Sequence, residues 1–113
     1  MQVRYDRNLS DPATVPAAAG RNAYRIVQEG LTNARKHAGG AAVDVTVGGT
    51  EGEGLTVEVR NRLPLGVGAA AIPGTGTGIV GLAERASLAG GRLEHGPTRS
   101  GDYRLWAWLP WPP

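Results

Sequence analysis

The sequence predicts an α/β two-layer sandwich, one mixed, mostly antiparallel sheet carrying its helices on one face. Two stretches repeat apolar residues every three or four positions, several others alternate them, and together they run in the order β-α-β-β-loop-α-β-β. With 113 residues there is room for one domain (1–113) and a real core, and no internal repeat or linker divides it.

Taken in order, Val3 and Tyr5 alternate with Gln2 and Arg4, a short strand. Asp11 and Thr14 are candidate caps for a helix that tolerates Pro16 in its first turn. Ala19, Ala23, Ile26, Val27, Gly30, Leu31, Ala34 and Ala38 then form one helical face, predicting a helix from about residue 15 to 38, with Gly39-Gly40 ending it. Val43, Val45 and Val47 alternate with polar neighbours, as do Leu55, Val57 and Val59. Residues 41–61 therefore read as an antiparallel hairpin around a glycine-rich turn. Residues 62–78 carry almost no polar side chains and no period, which suits a functional loop or lid. Ile79, Leu82, Ala83 and Ala86 predict a second helix stopped by Gly90-Gly91. A closing hairpin pairs Arg92–His95 with Tyr103–Leu109, placing Leu105, Ala107 and Leu109 on one face and Trp106 and Trp108 on the other. Those two tryptophans cover the second side of the sheet or meet a neighbouring domain, the first being favoured.

Composition excludes more than it identifies. Eighteen glycines and eight prolines are clustered between periodic stretches, so the chain is neither collagen-like nor disordered. Twelve basic and ten acidic residues leave a net charge of +2, without the basic stripe of a nucleic-acid groove. There is no cysteine, hence no disulfide and no thiolate metal site. The polar N-terminus does not resemble a signal peptide and no apolar run approaches a membrane span, so a soluble, cytoplasmic domain is expected.

Two places could carry chemistry. Glu29 and Asn33 lie one turn apart on the first helix, with Lys36 and His37 one turn further. A carboxylate, an amide oxygen and an ammonium on one side suit a magnesium nucleotide, because magnesium takes hard oxygen ligands and shares them with phosphate. The same mixture also suits an ordinary solvated helix face. The second place is Pro73-Gly74-Thr75-Gly76-Thr77-Gly78, which runs into the second helix. Its backbone N–H groups and the helix N-terminus could approach an anion. With no lysine after the last glycine and no strand before the first, it is neither a Walker A loop nor a Rossmann turn, and a flexible connector has the same composition.

Taken together, these motifs resemble a known family. Tyr24-Arg-Ile-Val-Gln-Glu-Gly-Leu-Thr-Asn-Ala-Arg-Lys-His-Ala38 is similar to the N box of bacterial sensor histidine kinases, in the branch that pairs with LuxR-type response regulators. Gly74-Thr-Gly-Thr-Gly-Ile-Val-Gly-Leu-Ala-Glu-Arg85 resembles that branch's second glycine box, and Leu88-Ala-Gly-Gly91 and Trp108-Leu-Pro110 its closing segments. The resemblance implies the ATP-binding catalytic domain of the GHKL superfamily, with its Bergerat fold. By position, Asn33 would ligate Mg2+ and Glu29, the catalytic residue, would sit beside the γ-phosphate as a base or polariser. Lys36 would contact phosphates, and Gly74, Thr75, Gly76, Thr77 and Gly78 would close over the triphosphate. Residues 62–76 would be the ATP lid, and His37 would pack or cap the helix end.

Two positions depart from the wider family. Asn61 stands where an aspartate usually accepts from the adenine amine, and no glycines follow it. An asparagine can still accept with its carbonyl and donate with its amide. Gly101-Asp-Tyr103 replaces a small-residue motif, so Tyr103 is expected to pack on the adenine side of the core. His95 has no acidic company and reads as a surface or core histidine. The resemblance implies transfer of the γ-phosphoryl of Mg-ATP to a histidine on the parent kinase's dimerisation helices, which this chain lacks, and from there to a response regulator. An anti-sigma-type serine kinase of the same superfamily, or a degenerate module working through protein contacts, are the alternatives.

Overall fold

The computed structural model describes residues 2–37, 42–63 and 77–113. Strand β1 (Val3–Leu9) leads through a 3-10 turn (Pro12–Thr14) into helix α1 (Ala17–His37). A hairpin follows (β2, Val43–Thr50; β3, Gly54–Arg62), then α2 (Thr77–Leu88) and a second hairpin (β4, Arg92–Pro97; β5, Asp102–Leu109). The five strands form one sheet in the order β1-β2-β3-β5-β4. Only β1 and β2 are parallel; every other neighbour is antiparallel. The predicted two-layer α/β sandwich with a mixed, mostly antiparallel sheet is the fold observed.

Alternation builds the core. Val43, Val45 and Val47 of β2, Leu55, Val57 and Val59 of β3, and Leu105, Ala107 and Leu109 of β5 all point to one face and are buried. Ala19, Ala23, Ile26 and Ala34 of α1 and Ile79, Leu82 and Ala86 of α2 close over them. Gly30 lets α1 approach closely: a Cβ there would lie 2.8 Å from Val59 Cβ. At the end of α2, Gly91 N–H donates to the Ala86 carbonyl at 2.7 Å and Gly90 N–H to that of Ser87 at 3.0 Å. Gly90 takes φ +83°, so the predicted glycine stop is a Schellman cap.

Several boundaries differ from expectation. β1 runs to Leu9 through Asp6, Arg7 and Asn8, because an edge strand exposed on both faces has no reason to alternate. Neither candidate cap serves α1 by its side chain. Asp11 precedes the 3-10 turn without a side-chain cap bond, and the Thr14 hydroxyl donates to the Asp11 carbonyl while accepting from Trp111 Nε1 at 3.1 Å. Trp111 is thereby buried, and the proline-rich stretch after β5 is packed against the start of the helical layer. Gly39-Gly40 lie outside the described residues.

The other face of the sheet is polar and ion-paired. Arg104 Nε meets Glu58 at 2.7 Å, Arg60 Nε meets Asp102 at 3.0 Å and Arg4 Nε meets Asp44 at 2.8 Å. Trp106 is half-buried between the guanidinium groups of Arg92 and Arg104, each 5.3 Å from its ring centre. Trp108 lies over Gly54 and donates to the Glu53 carbonyl at 3.2 Å. The tryptophans cover the sheet, as favoured from the sequence.

Candidate functional site

The i, i+4, i+7 spacing of Glu29, Asn33 and Lys36 sets them along one side of α1, next to the buried stripe. Glu29 and Asn33 are half-buried, while Lys36 is exposed near the helix end. Helix α2 packs beside α1 and brings its first turn to this side. Gly78 lies directly against the Glu29 carboxylate: a Cβ at 78 would fall within 2.7 Å of Glu29 Cδ and into contact with Oε1. The absence of a side chain at residue 78 is what allows a carboxylate 49 residues earlier in the chain to reach the helix start.

Asn61 lies two residues beyond Val59, the residue that Gly30 of α1 approaches. It is the last inward-facing residue of β3, opposite Val43 on β2 and Tyr103 on β5, and is only 4% exposed. Its one side-chain hydrogen bond among the described residues is long, Nδ2 to the Arg62 carbonyl at 3.4 Å. The Oδ1 atom has no donor among those residues. A buried amide held this loosely can turn its carbonyl and amide edges to a planar ligand.

Tyr103 is 3% exposed and its hydroxyl lies 3.0 Å from His95 Nδ1. Burial pushes the phenol from 10.0 up to about 12, so it stays neutral. Its ring is buried in the core opposite Asn61 on β3, and its hydroxyl is engaged by an exposed histidine. Sequence reading missed this pair. The signal was the register of the second hairpin, which sets His95 and Tyr103 on the same face two residues apart in pairing.

Glu29, Asn33, Asn61 and Gly78 are thus placed on facing elements, with Lys36 at the open end. Thr77 opens α2. Gly74, Thr75, Gly76 and residues 64–76 of the expected lid lie outside the described residues, as does the capping role read for the His37 side chain. A cavity of about 470 Å3 on the other side of α1, between β1 and the first half of the helix, contains none of the candidate site residues. No helix among the described residues is long and apolar enough to cross a membrane.

The residues present suit a magnesium nucleotide. Asn33 offers a neutral hard oxygen, Glu29 a carboxylate, and Asn61 an acceptor and donor edge. Gly78 provides a close approach that any side chain would fill.

No protein-family model matches the chain. Solved structures are similar in fold. The catalytic domain of histidine kinase ThkA, in a nucleotide-free form, superposes with a TM-score of 0.69 at 13% identity, over 98% of this chain and 81% of that one. The Erythrobacter litoralis EL346 blue-light activated histidine kinase gives 0.63 at 22% identity, over 95% of this chain and 38% of that one. Acinetobacter baumannii histidine kinase AdeS gives 0.61 at 10% identity, over 97% and 55%. The chain thus spans most of the ThkA domain and about half or less of the two longer structures. It has the fold of histidine kinase catalytic domains.

Proposed function

We propose that this chain is the ATP-binding catalytic domain of a sensor histidine kinase of the branch paired with LuxR-type regulators. It holds Mg-ATP between α1, segment 62–76 and the start of α2. The observation that carries this reading is the packing of the Glu29 carboxylate on Gly78, which joins the N-box-like helix to the glycine-rich helix start on this fold.

Bound Mg-ATP supplies the activated γ-phosphoryl group and the charge neutralisation that lets it leave. The chain's own residues position and shield it. Asn33 gives its amide oxygen to the cation, Lys36 offsets phosphate charge from the open end, and Asn61 pairs with the adenine edge. Glu29 orients the attacking histidine or takes its proton from the side nearest the γ-phosphate. The acceptor nitrogen belongs to the dimerisation helices of the longer protein: its N–P bond forms as the bridging O–P bond of ATP breaks, and ADP departs. The phosphoryl group then passes to a response regulator.

The test is calorimetric titration of ATP into the chain with and without magnesium, repeated with Asn33→Ala. Magnesium-dependent binding lost in the variant is expected. No heat at millimolar ATP from a sample that melts cooperatively overturns the proposal.

A further inference from the structure

Among the described residues the core holds one buried amide, Asn61, and no buried charge. A buried polar group is ordinarily fixed by its neighbours, because leaving it without partners costs free energy. Asn61 is held far more loosely. Its cross-strand neighbours are Val43, which is apolar, and Tyr103, whose hydroxyl is paired with His95 Nδ1 at 3.0 Å. Its one bond among those residues, Nδ2 to the Arg62 carbonyl, measures 3.4 Å, beyond the usual limit of about 3.2 Å. That bond uses one of the two Nδ2 hydrogens, so the second hydrogen and Oδ1 have no partner among the described residues. Turning the amide by half a turn exchanges Oδ1 and Nδ2 and gives up that single bond. A neutral hydrogen bond of ordinary length biases such a choice by about tenfold at most, and a long one by less.

With a nucleotide held as proposed above, on which this inference rests, the triphosphate lies at Asn33 and Gly78 on the helices, whereas Asn61 stands on the sheet. The part of a purine that reaches Asn61 is then the edge remote from the sugar, its 6-position and N1. Adenine offers a donor at N6 and an acceptor at N1: Oδ1 accepts from the first, and Nδ2 donates to the second. A 6-oxopurine reverses both, with an acceptor at O6 and a donor at N1. The turned amide matches it with the same number of bonds. An amide pinned in one orientation by buried partners would instead set its carbonyl against O6 and its N–H against the N1 proton. We infer that Asn61 makes this site accept a 6-oxopurine triphosphate alongside ATP, with affinities within about tenfold of each other.

Calorimetry on the chain compares Mg-ATP with Mg-ITP, whose base differs from adenine only at the 6-position and N1. Dissociation constants within about tenfold are expected, and Asn61→Leu should weaken both nucleotides by at least about tenfold. A thermal melt checks that the variant is folded. Independently of any variant, the Asn61 side-chain amide signals of the 15N-labelled chain should move on adding either nucleotide. They should move differently, because Nδ2 donates to a ring nitrogen in one complex and to a carbonyl oxygen in the other. ITP bound more than tenfold more weakly than ATP overturns this inference and leaves the nucleotide reading standing. Similar affinities with the Asn61 amide signals unmoved overturn it as well, since the base is then not read by this residue. Binding of neither nucleotide overturns both readings.

Discussion

Substituting Gly78 by alanine isolates the contact on which the candidate site is built. A Cβ at this position lies 2.7 Å from Glu29 Cδ, whereas ordinary van der Waals contact begins at 3.4 Å, so the carboxyl group must retreat by at least about 0.7 Å. Gly78 has no positive φ, so the backbone accepts alanine, and the lost freedom of the unfolded chain favours the variant by about 0.4–1 kcal/mol. Turning Glu29 off its preferred rotamer opposes this by about 0.5–1.5 kcal/mol. Gly78→Ala should therefore change stability by less than about 1 kcal/mol in either direction. In a Glu29→Ala background the opposing term vanishes, and the same substitution should stabilise by the full 0.4–1 kcal/mol. Urea unfolding of the four proteins completes a double-mutant cycle, with an expected coupling of about 0.5–1.5 kcal/mol. With Glu29 in the role proposed for it, a shift of this size lowers turnover by up to about a hundredfold, so phosphotransfer to a supplied acceptor domain should fall far more than stability does. Coupling below about 0.3 kcal/mol would refute the placement of Glu29 against Gly78.

Gly30→Ala should behave differently, because its Cβ would meet the branched carbons of buried Val59 at 2.8–2.9 Å rather than a side-chain end. A loss of about 1–3 kcal/mol is expected by urea unfolding, and adding Val59→Ala should not restore it, because the Val59 Cβ that alanine keeps is itself 2.8 Å away. Stability should also fall between pH 10 and 12. The unfolded chain releases the Tyr103 proton near 10.0, while the folded chain keeps it to about 12, so rising pH favours unfolding across that window and has no such effect below it. The decline attributable to this group is about 2–3 kcal/mol. It should be absent from Tyr103→Phe when the two proteins are compared by urea titration at pH 9 and pH 11, an interval that covers the first half of that window and about 1.4 kcal/mol of the decline.

Sequence pattern revealed those parts of the fold that bury a single face. Ala19, Ala23, Ile26 and Ala34 declare α1, and Val43 to Val47 and Leu55 to Val59 declare the hairpin, because one-sided burial forces periodicity. It was silent on β1 beyond Tyr5, where neither face is covered. The roles of Thr14 and Trp111 were equally hidden, since their bond spans 97 positions and leaves no local trace. Of the site, the helical spacing of Glu29, Asn33 and Lys36 was legible, as was the inward position of Asn61 on an alternating strand. That Gly78 receives the Glu29 carboxylate is a product of helix packing, which no spacing rule contains.

The place of β5 in the sheet also governs how the chain can be made. β5 lies between β3 and β4, hydrogen-bonded to both, although it follows both in sequence. Until residues 102–109 leave the ribosome, β4 has no strand to pair with, and β3 presents an open edge with Leu55, Val57 and Val59 facing no neighbour on that side. At roughly 5–20 residues per second, the first hairpin and α1 wait seconds for the strand that joins the two halves. During that interval the nascent chain exposes a valine-rich edge to other chains. The step that completes the core is thus the arrival of β5, and the period of greatest aggregation risk ends with it.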